Sequence, residues 1–262
     1  MNPSRNIARQ FDEQGARKIE AIYLTPDVVA QRARILEALA LRSGERVVDL
    51  GTGPGLLALD LAQQVGPTGA VDGIDFSESM VALAQRRCSA LSWVNIRTGD
   101  VSALPYDDAA FDVAVCIQVY EYVPVVERAL RELKRVLKPG GRAVIVDTDW
   151  ESCVWHSSDE ARMRKMIECW DTHCPHPHLP RVLGRTLRDA GLTVTATEVI
   201  ALVNAGYDPD TYSANLIDVF FAYARKYLDE PTAKAWAEDL RAIAARGEYF
   251  FSLNRYLFSA RA

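Results

Sequence analysis

The chain has 262 residues, of which 49% are hydrophobic and 25% charged, with a net charge of -5 at pH 7. This acidic balance argues against a nucleic-acid partner or an anionic membrane surface, and no apolar run approaches the roughly 18 residues of a membrane helix. The start, MNPSRNIARQFDEQG, has no apolar signal core, so we expect a cytoplasmic protein with its cysteines as reduced thiols.

In chain order, the sequence predicts a helical cap over 1–41 and then a core over 42–150, in which short strands alternate with helices. The predicted strands of the core cover 46–50, 70–75, 93–100, 111–117 and 142–150. Within 123–137 the apolar residues Val126, Leu130, Leu133 and Leu137 share one helix face, and Pro139-Gly140-Gly141 predicts its end. This alternation indicates an α/β protein with a mostly parallel sheet covered on both faces.

Residues 151–262 are predicted to form a region on the substrate side of the same single domain, 1–262. Helical patterns cover 158–171 and the segment PRVLGRTLRDAG, and strands are predicted over 192–203 and 248–260. Two helices near 209–246 lie between those strands. Because an open α/β sheet binds ligands at the carboxyl ends of its strands, we interpret these helices as a lid over that edge.

The first predicted strand runs into a glycine-rich turn, VVDLGTGPG. Alternate glycines let the backbone turn sharply and let a ligand lie against bare main chain. A dinucleotide fingerprint would need glycine where Leu56 stands, and a phosphate-binding Walker loop would need a lysine. Asp49, just before the turn, would repel a pyrophosphate but tolerate a ligand with a cationic amine.

Acidic residues stand at the ends of the next two strands. Asp75 ends the second strand, where a carboxylate can accept both ribose hydroxyls of a nucleoside. Asp100 ends the third, where it can accept an adenine N–H. Three acids at successive strand ends beside one glycine loop predict a nucleoside site.

These motifs resemble the class I S-adenosylmethionine-dependent methyltransferases, and most closely the ubiquinone/menaquinone-biosynthesis type that methylates small molecules. The matching segments, in order over 47–149, are VVDLGTGPG, GIDFSESMVALAQ, GDVSALPYDDAAFDVAV and LKRVLKPGGRAVIVD. The resemblance implies a Rossmann-like, seven-stranded sheet with an antiparallel last strand, and S-adenosylmethionine as the cofactor. It also implies methyl transfer to O, N or C of a small metabolite.

The resemblance assigns cofactor contacts residue by residue. The methionine part would lie on the loop after Asp49, which includes Gly51, Thr52, Gly53 and Gly55. The ribose would bind Asp75, and the adenine would lie between Phe76 and Met80, with Asp100 and Val101 at its edge. The sulfonium would lie over Ile117 and Gln118. Tyr23, in the helical cap, joins this set as a lid residue. We expect no partner beyond a small-molecule substrate, and monomer or homodimer remains open.

The segment CWDTHCPHPHLPR raises the question of a metal site. Its potential ligands are Cys169, His173, Cys174, His176 and His178. A structural zinc site usually draws paired ligands from two clusters, and only one is present, so we predict no metal. Methyl transfer needs a general base only where the attacking atom carries a proton. His176 and the strand-end Asp149 are the candidates for that role.

The substrate is less well specified. The aromatic residues of the lid region favour an apolar or aromatic guest, although helix packing explains each of them equally well; they are Tyr207, Tyr212, Phe220, Phe221, Tyr223, Tyr227 and Trp236. One alternative is a non-methylating relative that uses the bound cofactor structurally or for a rearrangement. Another is an arsenite methyltransferase using Cys116, Cys153, Cys169 and Cys174. The Asn/Asp-Pro-Pro-Tyr signature of base-methylating enzymes is absent.

Overall fold

A computed structural model describes residues 13–262, without the side chains of residues 13, 14 and 16. Its strands are β1 (Arg46–Leu50), β2 (Ala70–Asp75), β3 (Val94–Thr98), β4 (Phe111–Ile117), β5 (Leu137–Thr148), β6 (Val154–Trp155), β7 (Thr193–Asn204) and β8 (Phe251–Arg261). Its helices are α1 (Glu13–Tyr23), α2 (Pro26–Leu39), α3 (Leu56–Val65), α4 (Glu78–Cys88), α5 (Val126–Val136), α6 (Glu160–Trp170), α7 (Pro180–Asp189), α8 (Tyr212–Tyr227) and α9 (Glu230–Ala245). Short 3-10 turns occupy Tyr120–Tyr122 and Trp150–Ser152.

The strands form one sheet in the order β3-β2-β1-β4-β5-β8, with β7 beyond β8. Strands β1 to β5 are parallel, whereas β8 is antiparallel to both β5 and β7. The predicted α/β sheet with an antiparallel last strand is confirmed. The two-residue β6, paired with β8, adds an eighth strand.

Helices cover both faces of the sheet because successive residues of the buried strands point to opposite sides. Val47 packs with side chains of α2, α3 and α4, whereas its neighbour Val48 packs with those of α5 and α7. Both valines are fully buried. This accounts for the continuous apolar run of β1.

Helix α5 ends at Val136, before Pro139-Gly140-Gly141, as predicted. The following strand, however, begins at Leu137 rather than 142. Leu137 pairs with Phe111, and the register then shifts before the regular ladder resumes at Arg142. The extra strand residues are therefore an irregular extension at the amino end of the sheet.

The lid region has a hydrophobic core of its own. Trp170 stacks on Phe220 with ring centroids 4.1 Å apart, and Trp155 meets Trp236 edge-on at 5.2 Å. Phe220 and Trp236 are 1% and 0% exposed. Helix packing therefore explains these two aromatic residues, which do not face a guest.

The helical cap is attached to the lid through a helix end. The Asp27 carboxylate, on α2, accepts the Tyr212 N–H at 2.9 and 3.1 Å, at the start of α8. A carboxylate at a helix N-terminus is favoured by the exposed N–H groups there. Cap residues 1–12 lie outside the described part. Within 13–262, no helix is long and apolar enough to cross a bilayer.

Candidate active site

The loop after β1 consists of glycines in the left-handed backbone region. The φ angles of Gly51, Gly53 and Gly55 are 72°, 53° and 78°, values that residues with a Cβ rarely adopt. The N–H groups of Gly51 and Thr52 both donate to the Ile74 carbonyl, at 2.7 and 3.0 Å. The loop is therefore anchored to β2 and presents its main chain at the carboxyl end of the sheet.

The three glycines meet different surroundings. A Cβ at Gly51 would lie 2.2 Å from Val119 Cγ2, and one at Gly55 would lie 2.7 Å from the Ala84 backbone. A Cβ at Gly53 would meet no described atom within 4 Å. Packing within the protein thus requires Gly51 and Gly55, whereas Gly53 borders open space in which a ligand can lie against the backbone.

Asp49 lies beneath the loop and not at its surface. It is 2% exposed and accepts a hydrogen bond from the Thr52 hydroxyl at 2.7 Å. Burial raises the pKa of Asp49 to about 7; the Thr52 bond opposes this shift and the charge of Asp75 adds to it. Asp49 therefore positions Thr52, and it acts on a ligand through its charge and not through contact.

Asp75, at the end of β2, is bound to the loop. Its Oδ2 accepts the Gly53 N–H and its Oδ1 accepts the Ser77 N–H, both at 2.9 Å. Burial raises the pKa of Asp75, and these backbone bonds oppose that shift. The Phe76 N–H also donates to this carboxylate. Since a carboxylate has about four acceptor sites, Asp75 is fixed beside Gly53 with capacity left for a hydroxyl donor.

The residues expected around the adenine fall into two groups. Phe76 is 48% exposed, and Asp100 is exposed, its Oδ1 accepting the Ser102 N–H at 2.7 Å. Val101 and Met80 are 7% and 2% exposed and lie in the interior. Phe76 and Asp100 can therefore touch a ligand directly, whereas Val101 and Met80 form the layer behind.

The carboxyl end of β4 carries an unusual backbone conformation. Gln118 is not a glycine and has a φ of 56°, which costs about 1 kcal/mol. Its N–H donates to the Val146 carbonyl at 2.7 Å, and its Oε1 accepts the Thr148 hydroxyl at 2.8 Å. Its Nε2 is buried and has no partner among the described residues. With the half-buried Ile117 before it, Gln118 holds an amide donor available to a ligand.

Two buried carboxylates beyond β4 and near the end of β5 were not among the predicted site residues. Glu121 and Asp147 are 1% and 0% exposed. Glu121 Oε2 accepts the Trp150 indole N–H at 3.0 Å, whereas Asp147, among residues 13–262, has only the backbone N–H groups of Val119 and Glu121 beside it. Burial raises the pKa of Glu121 to about 7, and burial with the nearby Glu121 charge raises the pKa of Asp147 well above its usual range.

Arg255, on β8, is a buried cation beside these acids. It is 2% exposed, donates to Gln31 Oε1 of α2, and holds its guanidinium 4.7 Å from the Tyr212 ring centroid. Its charge lowers the pKa of Glu121, against the larger effect of burial. The three charged groups come from the turn after β4, from β5 and from β8, which lies more than 100 residues later in the sequence.

Tyr23 links this group to the nucleoside side of the site. Burial raises its pKa to about 12; Arg255 opposes the shift, while Tyr212, Glu121 and Asp75 add to it. The Tyr23 hydroxyl is therefore within electrostatic reach of both Asp75 and Glu121. We call Tyr23, Glu121, Asp147, Tyr212 and Arg255 the buried polar cluster.

Asp149, a predicted base, is held by basic side chains. Its Oδ2 accepts Arg181 Nε at 2.7 Å, and its Oδ1 lies 3.0 Å from both Arg181 Nη2 and His178 Nδ1. Arg181 also pairs with Glu151. These bonds occupy Asp149 in this conformation, so it connects the end of β5 to the start of α7; its role as a base stays a prediction.

The histidines of CWDTHCPHPHLPR do not converge on one point. His173 stacks on Trp170 with centroids 4.2 Å apart, and burial lowers its pKa to about 4. His178 belongs to the network just described. The half-buried His176 donates its backbone N–H to the Glu121 carbonyl at 3.1 Å, and its Nε2 has no partner in the described part of the chain. No three His, Cys, Asp or Glu side chains in 13–262 are grouped to hold a metal ion.

The cysteines of the arsenite alternative are free thiols. Cys116 and Cys174 are buried, and burial raises the pKa of both. It also raises the pKa of Cys153 to about 12 and that of Cys169 above its usual range. Since the thiolate is the reactive and metal-binding form, these shifts weigh against arsenite chemistry at neutral pH.

Comparison with known sequences identifies the family. Residues 41–206 match the family described as "Methyltransferase domain". The chain is 31% identical over 246 residues to an uncharacterized 37.1 kDa protein in transposon TN4556 of Streptomyces fradiae, covering 93% of this chain and 70% of that protein. It is 33% identical over 144 residues to demethylmenaquinone methyltransferase of Staphylococcus aureus, covering 55% of this chain and 58% of that enzyme. The match thus spans little more than half of that enzyme's length.

Solved structures with the same fold include a phosphoethanolamine N-methyltransferase from Haemonchus contortus in complex with S-adenosyl-L-methionine. Its TM-score is 0.64 at 18% identity, covering all of this chain and 60% of that one. The [4+2]-cyclase SpnF is similar at a TM-score of 0.59 and 24% identity, covering 89% of this chain and 80% of that one. At these identities the two structures establish the fold alone.

The family match, the confirmed α/β sheet with its antiparallel last strand, and a glycine loop facing open space beside an acidic strand end lead to one assignment. The chain belongs to the methyltransferase-domain family and is a class I S-adenosylmethionine-dependent methyltransferase.

Proposed function

We propose that this enzyme methylates an O, N or C atom of a small, aromatic or otherwise hydrophobic metabolite. The observation that carries the proposal is the enclosure of the strand ends by aromatic side chains. Trp150 after β5 bonds to Glu121, Tyr212 of α8 lies against Arg255, and Tyr23 of α1 is within electrostatic reach of both charged groups. An enclosed, largely aromatic site suits a small guest with few polar groups.

We also propose the roles of the cofactor-side residues. Asp75 would accept the ribose hydroxyls, Phe76 would stack on the adenine with Asp100 at its edge, and the methionine part would lie along Gly53. Bound S-adenosylmethionine supplies a methyl group already activated on a sulfonium. The protein then mainly has to align donor and acceptor, which can contribute on the order of 7–11 kcal/mol.

The names of similar proteins support a small-molecule acceptor. The Staphylococcus aureus relative is named for demethylmenaquinone and the Haemonchus contortus enzyme for phosphoethanolamine. Both are small molecules with different attacking atoms. The two names therefore agree on a small acceptor, and the screen described next is designed to identify it.

The test is a screen with isotopically labelled methyl donor. Purified protein is incubated with labelled S-adenosylmethionine and panels of phenols, carbon acids and amines, and products are analysed by mass. We expect label in at least one acceptor, lost in Asp75→Ala and retained in Asp107→Ala, an exposed acid outside the site. Failure of the wild type to bind S-adenosylmethionine in calorimetry would refute the assignment of the site.

A second candidate function is a non-methylating reaction that uses the bound cofactor structurally or for a rearrangement. The structural similarity to the cyclase SpnF is the observation that favours it. The two functions differ in one measurable outcome. A substrate that is converted without transfer of label would select this alternative.

A further inference from the structure

The buried polar cluster contains more charge than cofactor binding requires. Two carboxylates and a guanidinium, each no more than 2% exposed, lie in the turn after β4, near the end of β5 and on the part of β8 paired with that end. Burying such groups costs several kcal/mol per ion unless each is fully hydrogen-bonded. Asp147 has only backbone N–H groups beside it, and the Nε of Arg255 has no partner, among the described residues. The cluster is therefore incomplete as a structural ion network.

Glu121 is the acid of the cluster that lies closest in sequence to Gln118, and its carboxylate has a fixed position. It follows Gln118 by three residues, in the 3-10 turn that leaves the end of β4. Its carboxylate is held by the Trp150 indole and by the Thr148 N–H. Two donors leave further lone pairs on a carboxylate, so Glu121 can accept one more proton donor without moving.

Groups that face Glu121 come from every element packed around it. They are Asp147 of β5, Arg255 of β8, Tyr23 of α1, Tyr212 of α8, Tyr122 of the same turn and Cys174 of the loop before α7. The Trp150 bond, the Arg255 charge and the Thr148 N–H favour the ionised carboxylate, and burial opposes it. Such opposing influences are typical of a group that exchanges a proton near neutral pH.

We propose that Glu121 is the proton acceptor of the methyl transfer, a catalytic residue that contacts the attacking atom of the substrate. This inference rests on the proposed function. The substrate atom X uses the electron pair of its X–H bond to form X–CH₃, the sulfur–methyl bond breaks with its electron pair going to sulfur, and the proton passes to the Glu121 carboxylate. Arg255 is a positioning residue, which lowers the proton affinity of Glu121 and does not contact the reacting atoms.

The proposal narrows the substrate class. A carboxylate base contributes only where the attacking atom carries a proton at neutral pH, as in a phenol, an enolisable carbon acid or a protonated amine. Thioethers, which have no such proton, are excluded as natural acceptors. The metabolite is therefore an aromatic or hydrophobic molecule with an acidic X–H group.

Three variants test the proposal. Glu121→Gln keeps the shape and the bond from Trp150 but cannot accept a proton. Arg255→Gln removes the neighbouring cation, and Glu127→Gln is the control, an exposed acid at the start of α5. Calorimetry with S-adenosylmethionine comes first. Affinities within threefold of wild type show that each variant folds and keeps the cofactor site, whereas a wild type that fails to bind would refute the proposed function itself.

The second measurement needs no substrate. Carboxyl ¹³C NMR of the protein bound to S-adenosylhomocysteine should contain a resonance that titrates near pH 7 and is missing in Glu121→Gln. In Arg255→Gln its midpoint should move to higher pH, because the cation that favours the ionised carboxylate is removed. Titration of Glu121 near pH 4 in the wild type would overturn the proposal.

The third measurement uses an acceptor found with labelled methyl donor. In single-turnover assays at pH 7.5, Glu121→Gln should be slower by about 10²–10⁴-fold, and the rise of the wild-type rate through pH 7 should be absent. Glu127→Gln should match the wild type, and Arg255→Gln should shift the midpoint of that rise to higher pH. A Glu121→Gln rate within threefold of wild type, or an accepted atom without a proton, would overturn the proposal.

Discussion

Because Gly53 borders open space, we predict that a methyl group added at this position weakens cofactor binding and has only a small effect on folding stability. Gly53→Ala places a residue with a Cβ at a φ of 53°, which costs about 1 kcal/mol, or roughly 2–4 °C in Tm for a chain of this size. No described atom lies within 4 Å of that Cβ, so no clash adds to this cost. If a ligand rests on this backbone, its clash with the added methyl group costs about 1–3 kcal/mol of binding free energy. This is equivalent to a roughly 5–150-fold loss of affinity.

The assay is calorimetry with S-adenosylmethionine alongside thermal unfolding of the same protein. Gly140→Ala is the matched control, because Gly140 has a φ of 77° and equally open surroundings, but lies near the amino end of β5, opposite the site. Both variants should lose a similar few degrees in Tm, and only Gly53→Ala should lose affinity. Equal cofactor affinity in Gly53→Ala and wild type would refute the placement of the ligand on this loop.

Three further predictions concern stability. Asp49→Asn removes a buried acid whose pKa is raised to about 7 in the folded protein. In the unfolded chain that pKa is near 4, so the wild type loses stability as the pH rises from about 4 to 7. In urea unfolding, the variant should therefore gain about 3 kcal/mol relative to wild type between pH 5 and pH 8. Gly51→Ala should unfold far more easily because of the 2.2 Å approach to Val119, and adding Val119→Ala should restore part of the loss in urea midpoint. Asp27→Ala should lower stability by about 1 kcal/mol and speed amide hydrogen exchange at Tyr212.

The cofactor half of the site could be predicted because its information is local. The β1–α3 turn is encoded by VVDLGTGPG, and Asp75 and Asp100 directly follow their strands. In a parallel sheet the carboxyl ends of neighbouring strands meet at one edge. The strand order and these positions therefore follow from a short segment of sequence.

The substrate half could not be predicted in this way, because its residues meet only through distant contacts. Glu121 stands in CIQVYEYV beside Gln118 and looks like an ordinary polar residue, and Arg255 is one polar position in an alternating strand. Their proximity depends on the pairing of β8 with β5. Asp149 was the more visible acid at the end of β5, yet Arg181 and His178 bind it.

The lid aromatics show the same limit. Sequence spacing places Phe220 and Trp236 on helices but not on a particular side of them. In the structure they pack between α6, α8 and α9, whereas Tyr212 lies against Arg255. A helix needs one apolar face for its own packing, so aromatic content alone does not separate a binding wall from a core.

Strand β8 is translated after both strands with which it forms long ladders, β5 and β7, and this order has a consequence for folding in the cell. While residues 251–261 are still being translated, β5 has no partner on its outer side and β7 has none at all. Unpaired strand edges favour association between chains. A nascent chain of this enzyme should therefore depend on the ribosome or a chaperone to shield those edges, and it gains Arg255 only when its final strand closes the sheet.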